Sequence, residues 1–527
     1  MVFDAIVLLP FCVIMLVSSA LVLIKRDFRT GDTHLDCYGV NIKARKVDLK
    51  LLKAIHSKNK CYNYSPVMPP KESVLPTFLE DYKYKIFQAR WGINRRFHIE
   101  FLPCFIMIWI IWKMLIDYNL AERPYQILYL VFGSVFLLRL VIWNCLDTYE
   151  PDGTQDCDIS KMNLVVAIPC YNEDVRSLCD CIISLLIQTR PPNEIHITDD
   201  GSAVDYSQAK EWFLNACSEY GVKGTWERQE NAGKRQAHAN SISRILDKKA
   251  AIVCTIDSDC TLDPHAFEEG MKPFAWSQNM SVTGLVLSKY VKANLLARVV
   301  DQVPLVVAQH LAKGGAGVAG NVMVNSGAIS LYRSEVIEYA VDFGYTSEMY
   351  NGEFVHFSDD SYLTLIALSM GKTIFQPSCF SFADMPIKFN HHARQMIRWM
   401  RGATIRGLWR IKYFPIISWT IIYQALNWAT FFCTTSLFLI WFHMGVTQNE
   451  IIFLLGMIIV YHQFFFLVYL SVQRSDFKWY DKVISYFLIP ISALWLYTVM
   501  RVFNIYAMLT HRTTLVWGTR EVVETVR

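Results

Sequence analysis

Charge and organised cysteine are both scarce in this 527-residue chain. Asp, Glu, Lys and Arg make up 19% of it, below the usual quarter, while apolar residues reach 53% and aromatics 14%. The formal net charge of +4 makes no case for nucleic acid as a partner. No CxxC pair occurs among the 14 cysteines, and no Cys/His group has zinc-ligand spacing. The cysteines read instead as reduced thiols in a cytosolic compartment, used as small buried hydrophobes. Basic residues are also missing ahead of the first apolar run, Ala5–Ile24; Lys25, Arg26 and Arg29 follow it. A cleaved leader carries its basic residues first. The run is therefore expected to be an uncleaved transmembrane helix, 1–24, with its C-terminal end in the cytosol.

Apolar runs are abundant, and they flank one soluble stretch. Residues 25–100 are basic, broken by Pro66, Pro69, Pro70 and Pro76, and carry no chemical motif. They read as a cytosolic or interfacial segment, a surface linker. Phe101–Ile116 and Ile127–Cys145 predict a transmembrane hairpin over 101–146. Beyond residue 400, Arg401, Arg406, Arg410 and Lys412 alternate with Leu408, Trp409 and Ile411, which predicts an interfacial amphipathic helix over 401–415. Residues 416–509 hold further spans. The last of them contains Pro490, Arg501 and Asn504 and is expected to break near Pro490 and re-enter, walling a channel. That leaves a cytosolic tail, 510–527. A lipid bilayer is thus an expected partner.

Between the flanks, Leu164–Pro169, Glu194–Thr198 and Ala251–Ile256 are short apolar runs, each read as a buried strand. Helical patterns such as Val175–Gln188 fall between them, so a parallel α/β domain is expected over 160–400. Ligands in such sheets bind at the carboxyl ends of strands.

Acidic clusters follow two of those strands. Asp257-Ser258-Asp259 can hold one hard divalent cation, Mg2+ or Mn2+, against a diphosphate, where a bland reading is a solvated loop. Asp199 and Asp200 precede Gly201; they suit hydrogen bonds from a nucleotide's base and ribose, or simply an Asp-Gly turn. Lys234 and Arg235 follow Gly233 and suit phosphate or uracil contacts, or an exposed basic loop. Of Asp359 and Asp360, the second is the expected general base for an acceptor hydroxyl, and the first the expected cap of a helix beginning near Ser361. Gln395, Arg398 and Trp399 share one helix face; Arg398 can meet a leaving diphosphate and Trp399 can stack on a sugar, or the pair is an ordinary interfacial Arg-Trp.

In this order the pieces resemble the processive family-2 glycosyltransferases, the hyaluronan, chitin and cellulose synthases. Those enzymes show separated aspartates and then QxxRW, as Asp200, Asp257/Asp259, Asp360 and Gln395/Arg398/Trp399 do here. Gly371–Gln376, Asp384-Met385-Pro386 and Trp517-Gly518-Thr519-Arg520 look most like hyaluronan synthases. The resemblance implies a GT-A (Rossmann-like) cytosolic domain embedded between transmembrane helices. It further implies nucleotide contacts at Pro169, Tyr171, Glu173, Lys234, Asp257, Trp517 and Arg520, and an acceptor site at Ser326, Gly327 and Trp399. Implied partners are UDP-sugars (UDP-GlcNAc, UDP-GlcA or UDP-Glc) and a nascent polysaccharide. One departure stands out: where the family carries GDDR, this chain has Ser358-Asp359-Asp360-Ser361. Other readings are a non-processive transferase acting on a lipid carrier, and a transporter with a nucleotide-sensing domain; the second would need paired polar half-helices, which are missing.

Overall fold

The computed structural model describes residues 70–91, 151–245, 251–446 and 448–512, with scattered positions between 127 and 150. The expected first span at 1–24, the basic stretch before residue 70, most of the hairpin at 101–146, and the tail from 513, with Trp517 and Arg520, lie outside the described residues.

A short strand, β1 (Ala89–Trp91), precedes the main sheet. That sheet begins with β2 (Asn163–Cys170), β3 (Glu194–Asp199), β4 (Lys223–Arg228), β5 (Ala251–Thr255) and β6 (Thr261–Leu262). It is completed by β7 (Asn279–Ser288), β8 (Ser330–Arg333) and, after the small hairpin of β9 (Met349–Tyr350) and β10 (Glu353–Phe354), by β11 (Lys372–Ala383). The spatial order is β4-β3-β2-β5-β8-β7-β11-β6. Leu164 to Ile168 are buried on both faces, which is why β2 reads as an unbroken apolar run. Helices α1 (Val175–Leu186) and α2 (Ser207–Tyr220) cover one face. Asp174 caps α1 by accepting from the Ser177 amide at 3.2 Å, and Gly221 ends α2 in the left-handed region.

The sheet is mixed, where the sequence led us to expect a parallel one. β2, β3, β4 and β5 are parallel, but β8 runs antiparallel to both β5 and β7, and β6 antiparallel to β11. β8 is only four residues long and carries Ser330 and Arg333, so its apolar signal is too short to recognise.

The remaining helices in chain order are α3 (Lys234–Ser243), α4 (Ala266–Met271), α5 (Leu295–Gly317), α6 (Ser334–Asp342), α7 (Asp359–Met370), α8 (Phe389–Tyr413), α9 (Trp419–Met444), α10 (Gln448–Leu470), α11 (Trp479–Tyr497) and α12 (Val499–Thr510). Three helices among the described residues are long and apolar enough to cross a membrane: α5, α9 and the run Trp479–Thr510. Over half of α5 is buried, and it lies between β7 and α11, with π-helical turns at Asp301–Val307 and His310–Gly314.

Three expectations change. First, 401–415 is no separate element: α8 runs unbroken through Trp399 to Tyr413. Second, α11 continues through Pro490, and the interruption falls eight residues later at Thr498, with φ −117° and ψ −76°. A proline deletes one amide donor but does not force a chain reversal when the flanking residues keep helical angles. Third, the described part of 25–100 is packed rather than a bare linker. β1 pairs antiparallel with β12 (Val472–Arg474), between α10 and α11, and Tyr82 donates to Asp180 at 2.7 Å.

Candidate active site

The carboxyl ends of β2, β3 and β5 open into a cavity of about 1450 Å³. Pro169, Tyr171, Glu173, Asp200, Lys234, Asp257, Asp259, Ser326, Gly327, Asp360, Gln395, Arg398 and Trp399 all line it. Residues spread over 230 positions of sequence thus meet at one crevice, as open α/β sheets place their ligands.

Asp257 and Asp259 follow β5. Their carboxylates and the Cys260 thiol lie within 4.8 Å of one another. Burial pushes the Cys260 thiol well above its ordinary range, which leaves the two carboxylates as the harder oxygen donors of the three. Ser258 Oγ donates to Glu173 Oε2 at 3.0 Å, tying this turn to the one after β2. Gly327 packs directly on the pair: a Cβ there would meet Asp257 Oδ2 at 2.8 Å. Behind the turn, Lys289 Nζ donates to the Asp259 carbonyl at 2.5 Å and faces Asp384 at 3.3 Å.

The expected base-and-ribose contacts separate. Asp199 does not line the cavity; it accepts from the Ser202 amide at 2.9 Å and pairs with Arg228 at 3.3 Å. Asp200 does line it, but its oxygens already accept from the amides of Ala232 and Gly233, each at 2.9 Å, and from Gln229 Nε2 at 2.8 Å. Asp200 therefore shapes the loop that delivers Lys234. Gly233 opens that loop at φ +93°. Lys234 bridges Asp257 at 2.7 Å and Asp359 at 2.9 Å. Burial alone would lower its pKa, but the two carboxylates outweigh it and hold the ammonium well above the ordinary lysine range. Arg235 turns away from the cavity into the protein, so of the two cations only Lys234 lines it.

Asp359 and Asp360 open α7, and Ser358 occupies the cap position with φ 62°. The expected capping role of Asp359 is replaced by its ion pair with Lys234. That pair outweighs burial and keeps the Asp359 carboxyl far below its ordinary pKa. Asp360, next to it, has its pKa pushed up to about 6, first by burial and then by the Asp359 charge. Two neighbouring carboxyls with pKa values driven apart form the pattern of a structural anion beside a proton acceptor.

From α8, Gln395, Arg398 and Trp399 complete the wall; Trp399 is 44% exposed, a ring face free for stacking. Gln395 Oε1 is buried with no hydrogen-bond partner among the described residues. Sequence reading missed Lys313 on α5, which donates to Ser326 Oγ at 2.6 Å and to the Gly284 carbonyl at 2.8 Å, tying the Ser326 turn to β7. It missed Arg410 as well, buried where α8 meets α9, with Nη1 on Gln424 at 3.1 Å and Nη2 on the Met323 carbonyl at 2.7 Å. Neither residue sits in a motif; only the fold brings them to the cavity.

A mixed sheet with a carboxylate pair at a strand end, and a carboxyl of raised pKa lining the same cavity, is the arrangement of a glycosyltransferase of the GT-A class. The model of "Glycosyl transferase family 2" matches residues 165–339. Hyaluronan synthase of Streptococcus pyogenes is 32% identical over 298 residues, 55% of this chain and 69% of that protein. An N-acetylglucosaminyltransferase of Mesorhizobium japonicum is 26% identical over 246 residues, 45% of this chain and 55% of its own length. A solved mannosyltransferase from Pyrobaculum calidifontis, in complex with GDP-Man and Mn2+, covers 74% of this chain and 98% of its own at 15% identity, with a TM-score of 0.48. The chain belongs to glycosyltransferase family 2, among relatives that include hyaluronan synthase.

Proposed function

We propose that this protein is a membrane-integrated, processive, inverting glycosyltransferase that polymerises UDP-sugars into a linear polysaccharide, hyaluronan being favoured, and extrudes it through its own channel. The observation that carries this reading is the meeting of Asp360, the Asp257/Asp259 pair and the Arg398-Trp399 face at one cavity. An inverting transfer needs a base opposite the departing diphosphate, and the burial and raised pKa of Asp360, a cavity-lining carboxyl, support that role for it. Its ionised oxygen takes the acceptor hydroxyl proton as the hydroxyl oxygen bonds to the anomeric carbon and the bond to the diphosphate breaks. Trp399 carries the acceptor ring, Ser326 and Gly327 border it, and Arg398 meets the leaving diphosphate. Lys234 exchanges its carboxylate contacts for phosphate. Tyr171 and Glu173, beside the carboxylate pair, border the nucleotide, and Pro169 shapes that turn.

The carboxylate pair fits a hard divalent ion, Mg2+ or Mn2+, held by Asp257 and Asp259. When bound, such an ion neutralises charge on the departing diphosphate. The protein is placed as a multi-pass plasma- or cytoplasmic-membrane enzyme with the cavity on the cytosolic side. By the resemblance, Trp517 and Arg520 are further nucleotide contacts.

The test is UDP release by purified protein given UDP-GlcNAc, UDP-GlcA and UDP-Glc singly and in pairs, with product length read on a gel. Strict need for UDP-GlcA and UDP-GlcNAc together supports hyaluronan. Polymer from UDP-GlcNAc alone supports a chitin-like product, and from UDP-Glc alone a cellulose-like one. A single sugar added to lipid removes processivity. No UDP release under any condition overturns the enzymatic reading. Asp360→Asn should abolish transfer while UDP-sugar binding survives; retained transfer refutes Asp360 as the base.

A further inference from the structure

Three buried charges sit just behind the cavity, and none of them lines it: Arg235 on α3, Glu348 in the segment between α6 and α7, and Arg406 on α8. Arg406 is fully buried and grips Glu348 with both terminal nitrogens, Nη1 to Oε1 at 2.5 Å and Nη2 to Oε2 at 2.7 Å. Arg235 Nη1 meets Glu348 Oε2 at 2.7 Å. The two guanidiniums then reach the backbone on either side of that acid. Arg235 donates to the carbonyls of Tyr345 at 3.0 Å and Phe357 at 2.8 Å. Arg406 donates to the Ser358 carbonyl at 3.3 Å and to Ser361 Oγ at 3.1 Å. Both cations also lie over the Tyr362 ring, at 5.4 and 5.3 Å.

The placement of these contacts matters more than their number. Phe357 and Ser358 immediately precede Asp359-Asp360, and Ser361 immediately follows. Arg406 stands seven residues after Trp399, two turns along the same helix. Arg235 is the neighbour of Lys234. One acid thus joins the three elements that carry the phosphate-side lysine, the base and the acceptor platform. The departure in sequence falls at the same spot, for the family pattern carries an arginine where this chain has Ser361.

We propose that Arg406, with Glu348 and Arg235, is a positioning triad: it supplies from α8 the guanidinium that the family motif carries beside its second aspartate, and it locks the Asp360 turn to the Trp399 helix at a fixed separation. This rests on the roles given above to Asp360 and Trp399. A misplacement of about 1 Å at a reacting group is enough to cost about 100-fold in rate.

The experiment compares the parent, Arg406→Ser, Arg406→Lys and the double variant Ser361→Arg/Arg406→Ser in full-length purified protein. Melting temperature, UDP affinity, and kcat and KM for chain elongation are measured for each. Arg406→Ser is expected to lower kcat by about 100-fold with UDP affinity within twofold. The double variant should regain at least tenfold of that loss, because its arginine grows from the base helix into the vacated space. Arg406→Lys keeps the charge without the two-pronged grip and should melt near the parent with an intermediate kcat. The proposal is overturned if a folded Arg406→Ser or Arg406→Lys protein keeps the parent kcat. It is equally overturned if the double variant, folded and with parent UDP affinity, is no faster than Arg406→Ser. A parent that transfers no sugar at all refutes the proposed function instead, and Asp360→Asn in the same series separates the two failures.

Discussion

Gly402 and Ser358 form a contact whose energetics can be worked out before measurement. Gly402 lies on α8, three residues beyond Trp399. A Cβ built on it would sit 2.2 Å from Ser358 Oγ and 3.0 Å from Ser358 Cβ. Ser358 has little freedom to yield, because it is held at φ 62° and its hydroxyl is hydrogen-bonded to Ser361 Oγ at 2.7 Å. Gly402→Ala therefore sets an overpacking cost of about 1–3 kcal/mol against a helix-propensity gain of about 1 kcal/mol. The expected net is a loss of about 0–2 kcal/mol. Ser358→Gly alone relieves about 1–2 kcal/mol of left-handed strain and gives up a hydrogen bond of about 0.5–1.5 kcal/mol, so it should be nearly neutral. In the double variant the clash is gone and the propensity gain remains. It should exceed Ser358→Gly by about 1 kcal/mol, which makes the coupling between the sites about 1–3 kcal/mol. Thermal unfolding of the four detergent-solubilised proteins measures the cycle, and UDP release run in parallel follows the base turn, falling in Gly402→Ala and returning in the double variant. Effects that add within about 0.5 kcal/mol refute the contact and the rigidity assigned to the turn.

Three further outcomes are expected. Asp360, with its pKa pushed up to about 6 by burial and then by Asp359, accepts a proton only when ionised. Transfer should therefore be lost as pH falls through about 6, and a kcat profile still flat at pH near 4.5, just above an ordinary aspartate, contradicts the assignment. Chelation of divalent ions, or Asp259→Asn, should weaken UDP-sugar binding many-fold, and binding unchanged by chelator rules out the carboxylate pair as an ion site. Arg474→Met removes the cation facing Asp301 at 3.5 Å and the donor to the Ser288 carbonyl at 2.7 Å. Tyr469 and the Ser288 amide still donate to that buried acid, but losing its cation should cost up to about 3 kcal/mol of stability while leaving UDP affinity intact. An unchanged melting temperature removes the clamp between β12 and the catalytic domain.

The parts of this protein visible in sequence are those whose physics is local. β2 is buried on both faces, so Leu164–Ile168 is apolar without interruption and reads directly as a strand. The Asp257 cluster follows β5 at once, so its place at a strand end needs no other part of the chain. Asp360 and the Gln395-Arg398-Trp399 face likewise stand in short local patterns, and all of them line the cavity. What a side chain does against a distant partner was not legible. Asp199 and Asp200 are adjacent and alike, yet one pairs with Arg228 and the other grips the 232–233 backbone. Lys234 and Arg235 are adjacent cations, yet one enters the cavity and the other is spent on Glu348, more than a hundred positions away. The split at Asp359 and Asp360 has the same origin, since α7 aims the first at Lys234 and leaves the second desolvated.

The membrane half shows the limit of composition in another way. α5 is apolar enough to span, as α9 is, although it carries charged residues where α9 has none. The difference lies in what surrounds each helix. α5 carries Asp301, Gln309 and Lys313, and each finds a partner within the catalytic domain or its clamp. The window of α9 is mostly unburied, with Phe432, Leu439 and Phe442 outward. An apolar helix whose charged residues find partners in the elements packed around it is a core element. α9 instead turns its apolar surface outward along its length, as a helix long and apolar enough to cross a membrane does. The segment 323–328 is held from both kinds of helix, by Lys313 at Ser326 and by Arg410, itself held by α9, at Met323. A product leaving Trp399 along that segment moves from groups fixed by the sheet toward groups fixed by the membrane helices, which makes this stretch the place where elongation and export must be coupled if the proposed function holds.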